Sequence, residues 1–86
     1  FKVKLDANRE VLPLLGSKEG IMHISMAFLN PGDKVLIPNP GYPAYASVST
    51  LLEVKIETYN LHEDTGWMPD FEELEKRDLS GVKMIW

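Results

Sequence analysis

The chain has 86 residues, 44% of them hydrophobic, with 9 basic and 13 acidic side chains and a formal net charge of -4. That length holds one small domain at most, burying roughly 60–65% of its unfolded surface. Scattered basic residues argue against a nucleic-acid groove or a polybasic membrane patch, the absence of cysteine excludes disulfides and thiolate metal sites, and no apolar run reaches the ~18 residues of a membrane span. No charged head followed by an apolar stretch marks a signal peptide. The sequence opens on Phe1 and closes inside the apolar run Val-Lys-Met-Ile-Trp, so a segment of a longer protein is expected.

In chain order, Glu-Val-Leu-Pro-Leu-Leu (10–15) reads as a short strand, with Pro13 pointing to an edge or a bulge. From Ser17 to Asn30 the spacing predicts a helix, with Ser17 as N-cap and Glu19 in the first turn, where negative charge is favoured. Its apolar positions Ile21, Met22, Ile24, Met26, Ala27, Phe28 and Leu29 wrap most of the way round. Such a helix is expected to be buried on nearly all sides. Asn-Pro-Gly-Asp (30–33) fits a type II turn, with Pro31 and Gly32 at its central positions.

Lys-Val-Leu-Ile-Pro-Asn-Pro (34–40) is the second strand, and Pro43 suits the first position of a helix running to about Leu52. Residues 54–61 alternate and are β-branched enough for a third strand, followed by a loop at 62–69. Asp70 caps the helix Phe-Glu-Glu-Leu-Glu-Lys-Arg (71–77), and Gly-Val-Lys-Met-Ile-Trp (81–86) is the fourth strand. Strands alternating with helices imply parallel pairing, right-handed crossovers and a sheet covered on both faces. The expected class is α/β, three layers, mostly parallel.

Ligands of an open parallel sheet bind beyond the carboxyl ends of its strands. Two loops belong there: Gly-Ser-Lys-Glu-Gly (16–20) and Pro-Asn-Pro-Gly-Tyr-Pro (38–43). Gly16 is expected to turn the chain sharply, and the helix after it offers free N–H groups at about Ser17 and Lys18, an anion seat. The plainer reading is a capped turn with a solvated Lys18. Tyr42, held between prolines, is placed to stack on a planar ring, or else to pack against its neighbours. The glycines fit neither the P-loop nor the dinucleotide fingerprint. Asp33 falls at the opposite edge, His23 and His62 lack partners at metal spacing, and Met22 with Met26 reads as packing. Glu-Glu-Leu-Glu-Lys-Arg (72–77) reads as a solvated helix face.

Gly-Ser-Lys-Glu-Gly-Ile (16–21) together with Leu-Asn-Pro-Gly-Asp-Lys-Val-Leu-Ile-Pro-Asn-Pro-Gly-Tyr-Pro-Ala-Tyr (29–45) resembles the fold-type I pyridoxal-phosphate aminotransferases of class I/II, and within them the LL-diaminopimelate aminotransferases. The likeness runs from about Leu5 to Trp86. It implies that residues 1–86 are part of the cofactor-binding large domain, whose mixed seven-stranded sheet has the order 3-2-4-5-6-7-1. Strands 1 to 4 would lie here. The resemblance gives Gly16, Ser17 and Lys18 to the cofactor phosphate, chiefly through N–H groups of Ser17 and Lys18, and Tyr42 to its pyridine ring. No catalytic residue and no metal ligand is implied within the chain.

The Schiff-base lysine, the aspartate at the pyridine nitrogen and the substrate-gripping arginine belong to later motifs, which none of the chain's lysines matches. The first strand would lose its family neighbour, so it is expected to be displaced, paired with another chain or poorly ordered. Amino acid and 2-oxo acid substrates, a cytoplasmic setting and a homodimer follow from the same resemblance. A lyase or an acyl-transferring synthase of the same fold type shares these features. A non-catalytic α/β module, such as a receiver, would instead need clustered carboxylates at this edge.

Overall fold

The computed structural model describes residues 1–86. Its centre is β1, Lys34–Asn39, flanked in parallel by β2, Lys55–Asn60, and β3, Val82–Ile85, in the order β2-β1-β3. This is the 3-2-4 part of the expected sheet. Val-Leu-Ile in β1 is apolar without alternation, which suits a strand covered on both faces, and Val35 is 0% exposed.

Three helices make the outer layers: α1, Ser17–Phe28; α2, Pro43–Leu51; and α3, Phe71–Lys76. On one face Val35 and Ile37 cluster with Leu29 and Val54, joined by Tyr45, Ala46, Leu52, Met84 and Trp86. On the other, Leu36 packs with Tyr59 of β2 and Leu74 of α3. The period of two along β1 thus divides the core between α2 and α3. A register shift opposite Lys34 and Val35 brings Val82 to the α3 side and Met84 to the α2 side, so β3 serves both clusters through a bulge.

The local signals act as expected at several points. Gly32 has φ 88°, and the Asp33 N–H donates to the Asn30 carbonyl at 3.0 Å, closing the type II turn. Asp33 returns its carboxylate to the Asn30 N–H at 2.8 Å, a structural role. Pro43 opens α2, and Asp70 accepts from the Glu73 N–H at 3.0 Å as N-cap of α3.

Residues 10–15 form no strand. Val11, Leu12, Leu14 and Leu15 are exposed. The segment crosses α1 instead, where Leu14 occupies the space beside Gly20. The segment pairs with none of β1, β2 and β3, in keeping with the displacement that the resemblance implies.

Helix α1 departs from expectation too. It ends at Phe28, and only Ile21 and Ser25 are buried. Met26 is 58% and Phe28 68% exposed. Helix α1 packs beside α2 rather than onto the sheet, so one stripe is covered and the rest of its apolar surface stays open.

Candidate functional site

The carboxyl ends of β1 and β2 are tied by Asn39, whose Nδ2 donates to the Asn60 Oδ1 at 3.0 Å. Beyond Asn39 the chain folds back over Pro38. A Cβ on Gly41 would lie 3.1 Å from the Pro38 carbonyl carbon and closer still to its oxygen. Glycine is therefore required here by a close backbone approach. The loop delivers Tyr42 as N-cap of α2, in extended conformation, with the residue 42% exposed.

The start of α1 lies at the same edge. Gly16 is its N-cap with φ 176° and ψ 159°, which corrects the expected sharp turn: this is extended backbone that any residue adopts. A Cβ at Gly16 would meet nothing within 4 Å. What the glycine provides is room in front of the helix. Ser17 is the first helical residue rather than the N-cap, so its hydroxyl is not bound to α1 as a cap. Glu19 reaches back to accept from the Leu15 N–H at 2.9 Å. The N–H groups at the beginning of a 12-residue helix, Ser17 and Lys18 among them, have no intrahelical partner.

These two beginnings meet. Lys18 and Tyr42, with Pro43, Ala44, Ser47 and Val48, line a groove of about 250 Å³. The Lys18 Nζ stands 5.9 Å from the centroid of the Tyr42 ring. A cation at that distance is weakly attracted to an aromatic face. The groove thus holds one ammonium and one partly open aromatic ring, next to the start of α1.

Three groups outside the groove have displaced pKa values. A hydrogen bond and ion pair with Glu57 at 2.9 Å raise Lys34, at the opposite edge of the sheet. Burial raises the Tyr59 phenol, with the Tyr45 charge as a second cause. Hydrogen bonds from Ser80 lower Asp78. The polar groups of the groove itself, the Lys18 ammonium, the Tyr42 phenol and the Ser47 hydroxyl, are suited to binding.

A sequence model of the family described as Aminotransferase class I and II matches residues 1–86. The chain belongs to that family. It is 44% identical over 86 residues to an LL-diaminopimelate aminotransferase from Dehalococcoides mccartyi, covering 100% of this chain and 22% of that protein. The same enzyme name goes with a relative from Aquifex aeolicus at 42% identity, again over 100% of this chain and 22% of the relative. Among solved structures, an aminotransferase from Staphylococcus aureus superposes with a TM-score of 0.84 at 33% identity, over 99% of this chain and 22% of that one. An alanine aminotransferase from Pyrococcus furiosus gives 0.74 at 31%, over 81% of this chain and 18% of that one. The chain therefore spans about a fifth of the length of these class I and II aminotransferases.

Of the four residues marked in the sequence, the structure gathers Gly16, Ser17, Lys18 and Tyr42 at one edge of the sheet, with Lys18 and Tyr42 across a shared groove. Two aromatic neighbours were not marked. Tyr45 meets Tyr42 edge to face, with centroids 5.8 Å apart and planes at 87°. Trp86 stacks on Tyr45 at 5.1 Å and 11°. The spacing of Tyr42 and Tyr45 across a helix start was the available signal for the first contact. The second joins residues 41 positions apart and left no local trace.

Proposed function

We propose that this chain supplies the phosphate seat and ring platform of a pyridoxal-phosphate-dependent aminotransferase, which moves an amino group between an amino acid and a 2-oxo acid. Ser17 and Lys18 offer their N–H groups to the phosphate, with the Ser17 hydroxyl as a further donor and the space at Gly16 admitting the anion. Tyr42 lies against the pyridine ring. When bound, the cofactor supplies an electron sink for bond changes at the substrate α-carbon. The observation that carries the reading is the shared groove: the Lys18 Nζ is 5.9 Å from the Tyr42 ring, so the helix start and the aromatic occupy one side of the sheet edge. The proposal extends to a cytoplasmic homodimer. No helix is long and apolar enough to cross a membrane.

The donors suit a phosphate on physical grounds. Aligned peptide dipoles put partial positive charge at the start of α1, and unpaired N–H groups point out of it. The test uses two probes, pyridoxal phosphate and pyridoxal, titrated into the chain and followed by absorbance. Proline is accepted at a first helical position and the residue before it is held extended, as Gly16 already is. Ser17→Pro thus deletes one N–H and the hydroxyl while leaving α1 intact. Wild type binds the phosphate ester more tightly than pyridoxal, and Ser17→Pro loses about tenfold for the ester alone. Equal affinities of wild type for the two probes would refute the phosphate seat.

A further inference from the structure

We infer that Tyr45 is a positioning residue for the candidate cofactor platform, holding the ring of Tyr42 in its orientation through an edge-to-face contact backed by Trp86. The inference rests on the cofactor reading of the Tyr42 groove.

The arrangement is a row of three rings. Tyr42, 42% exposed, lines the groove. Tyr45 stands behind it at 5.8 Å and 87°, the geometry favoured by aromatic quadrupoles. Trp86 is stacked behind Tyr45 at 5.1 Å. The outer ring is the least anchored of the three, since it is the exposed one and does not pack on the core cluster that holds the other two. The inner two are fixed. Tyr45 and Trp86 pack on the cluster of Leu29, Val35, Ile37 and Val54. The Trp86 N–H donates to the Leu36 carbonyl at 3.0 Å, and its main-chain oxygen accepts from the Tyr59 hydroxyl. The Trp86 indole Nε1 is buried without a partner, so its ring is placed by packing and by the stack on Tyr45. The row therefore transmits the rigidity of the sheet to an otherwise loosely held platform, and Tyr45 is the aromatic link between them.

Tyr45 itself does not line the groove, so it acts on a ligand only through Tyr42. That separates positioning from general packing. The experiment is a double-mutant cycle on the full chain with Tyr45→Leu and Tyr42→Ala, reading pyridoxal phosphate affinity. NMR of the ligand-free chain, reading the ring-proton shifts of Tyr42, is the second measurement. Leucine keeps the apolar contact with the core, and Tyr45→Phe keeps both ring contacts as a control.

Tyr45→Leu is expected to weaken binding about three- to tenfold and to move the Tyr42 ring shifts toward free-tyrosine values. Tyr45→Phe does neither. In the Tyr42→Ala background the effect of Tyr45→Leu on affinity vanishes. The inference is overturned if Tyr45→Leu leaves the Tyr42 shifts unchanged, or weakens binding equally in both backgrounds. If instead Tyr42→Ala binds like wild type, the cofactor reading of Tyr42 fails, and the ring shifts alone decide whether Tyr45 sets that ring.

Discussion

Gly41 and Gly16 face the same sheet edge under opposite constraints. At Gly41 an added methyl group meets Pro38 main-chain atoms that cannot rotate away, the carbonyl carbon at 3.1 Å. At Gly16 it meets nothing within 4 Å, and the backbone is extended. Gly41→Ala is therefore expected to cost about 1–3 kcal/mol in urea unfolding, through forced displacement of the loop that delivers Tyr42. Gly16→Ala stays within about 0.5 kcal/mol of wild type. In pyridoxal phosphate titrations both variants weaken binding, Gly41→Ala by moving the platform and Gly16→Ala by filling the phosphate space. A Gly16→Ala chain with unaltered affinity would show that the anion does not approach the helix on that side. The sequence marked Gly16 and passed over Gly41, because a close approach between main-chain atoms depends on the path of the loop and leaves no pattern in composition.

At the scale of elements, the helix starts and the strand pairings carry separate predictions. Asp70→Ala removes the acceptor for the Glu73 N–H from a helix of only 6 residues, which buries Leu74. The expected loss is about 1 kcal/mol, read from the urea midpoint, with Asp70→Ser retaining most of it. The sheet has its own dependence on pH. Lys34 of β1 is raised by its bond to Glu57 of β2, and Tyr59 of β2 is raised by burial. Both groups hold their protons more tightly folded than unfolded. Their contribution is complete below the unfolded values near pH ~10 and is lost as pH rises through the folded ones. Unfolding midpoints should fall above about pH 10, and Tyr59→Phe should make the fall shallower. Helix starts were legible because Pro43 and Asp70 act through their own backbone neighbours. The strand expected at 10–15 was not, since a strand exists only with a partner and none of β1, β2 and β3 pairs with it. The exposed apolar faces of α1 have a like reason: periodicity reports what a helix can cover, and α2 with the crossing segment at 10–15 covers only part of it.

For the whole molecule, a parallel sheet covered on both faces was legible from alternating strands and helices, whereas the order β2-β1-β3 was implied by the family resemblance and the division of the core between α2 and α3 appears only in the structure. The gathering of Lys18 and Tyr42 followed from the rule that loops at the carboxyl ends of parallel strands converge. Binding and turnover nevertheless separate here. Transamination needs an amine that anchors the cofactor covalently and moves protons beside it. The chain has lysines at 2, 4, 18, 34, 55, 76 and 83, and Lys18 is the one that lines the groove. Its Nζ stands over the Tyr42 ring at 5.9 Å, on an exposed helix start, with the Tyr42 phenol as the one other titratable group lining the groove. Lys34 is committed to Glu57 at the far edge. The chain by itself is therefore expected to bind pyridoxal phosphate weakly and to transfer no amino group. The assay incubates the 86 residues with the cofactor, an amino acid and a 2-oxo acid, and follows the new amino acid above the rate of free pyridoxal phosphate. Lys18→Arg keeps the positive charge and removes the amine, so it should match wild type in this assay. Turnover above the free cofactor that disappears in Lys18→Arg would make Lys18 a catalytic residue and overturn the division of labour argued here.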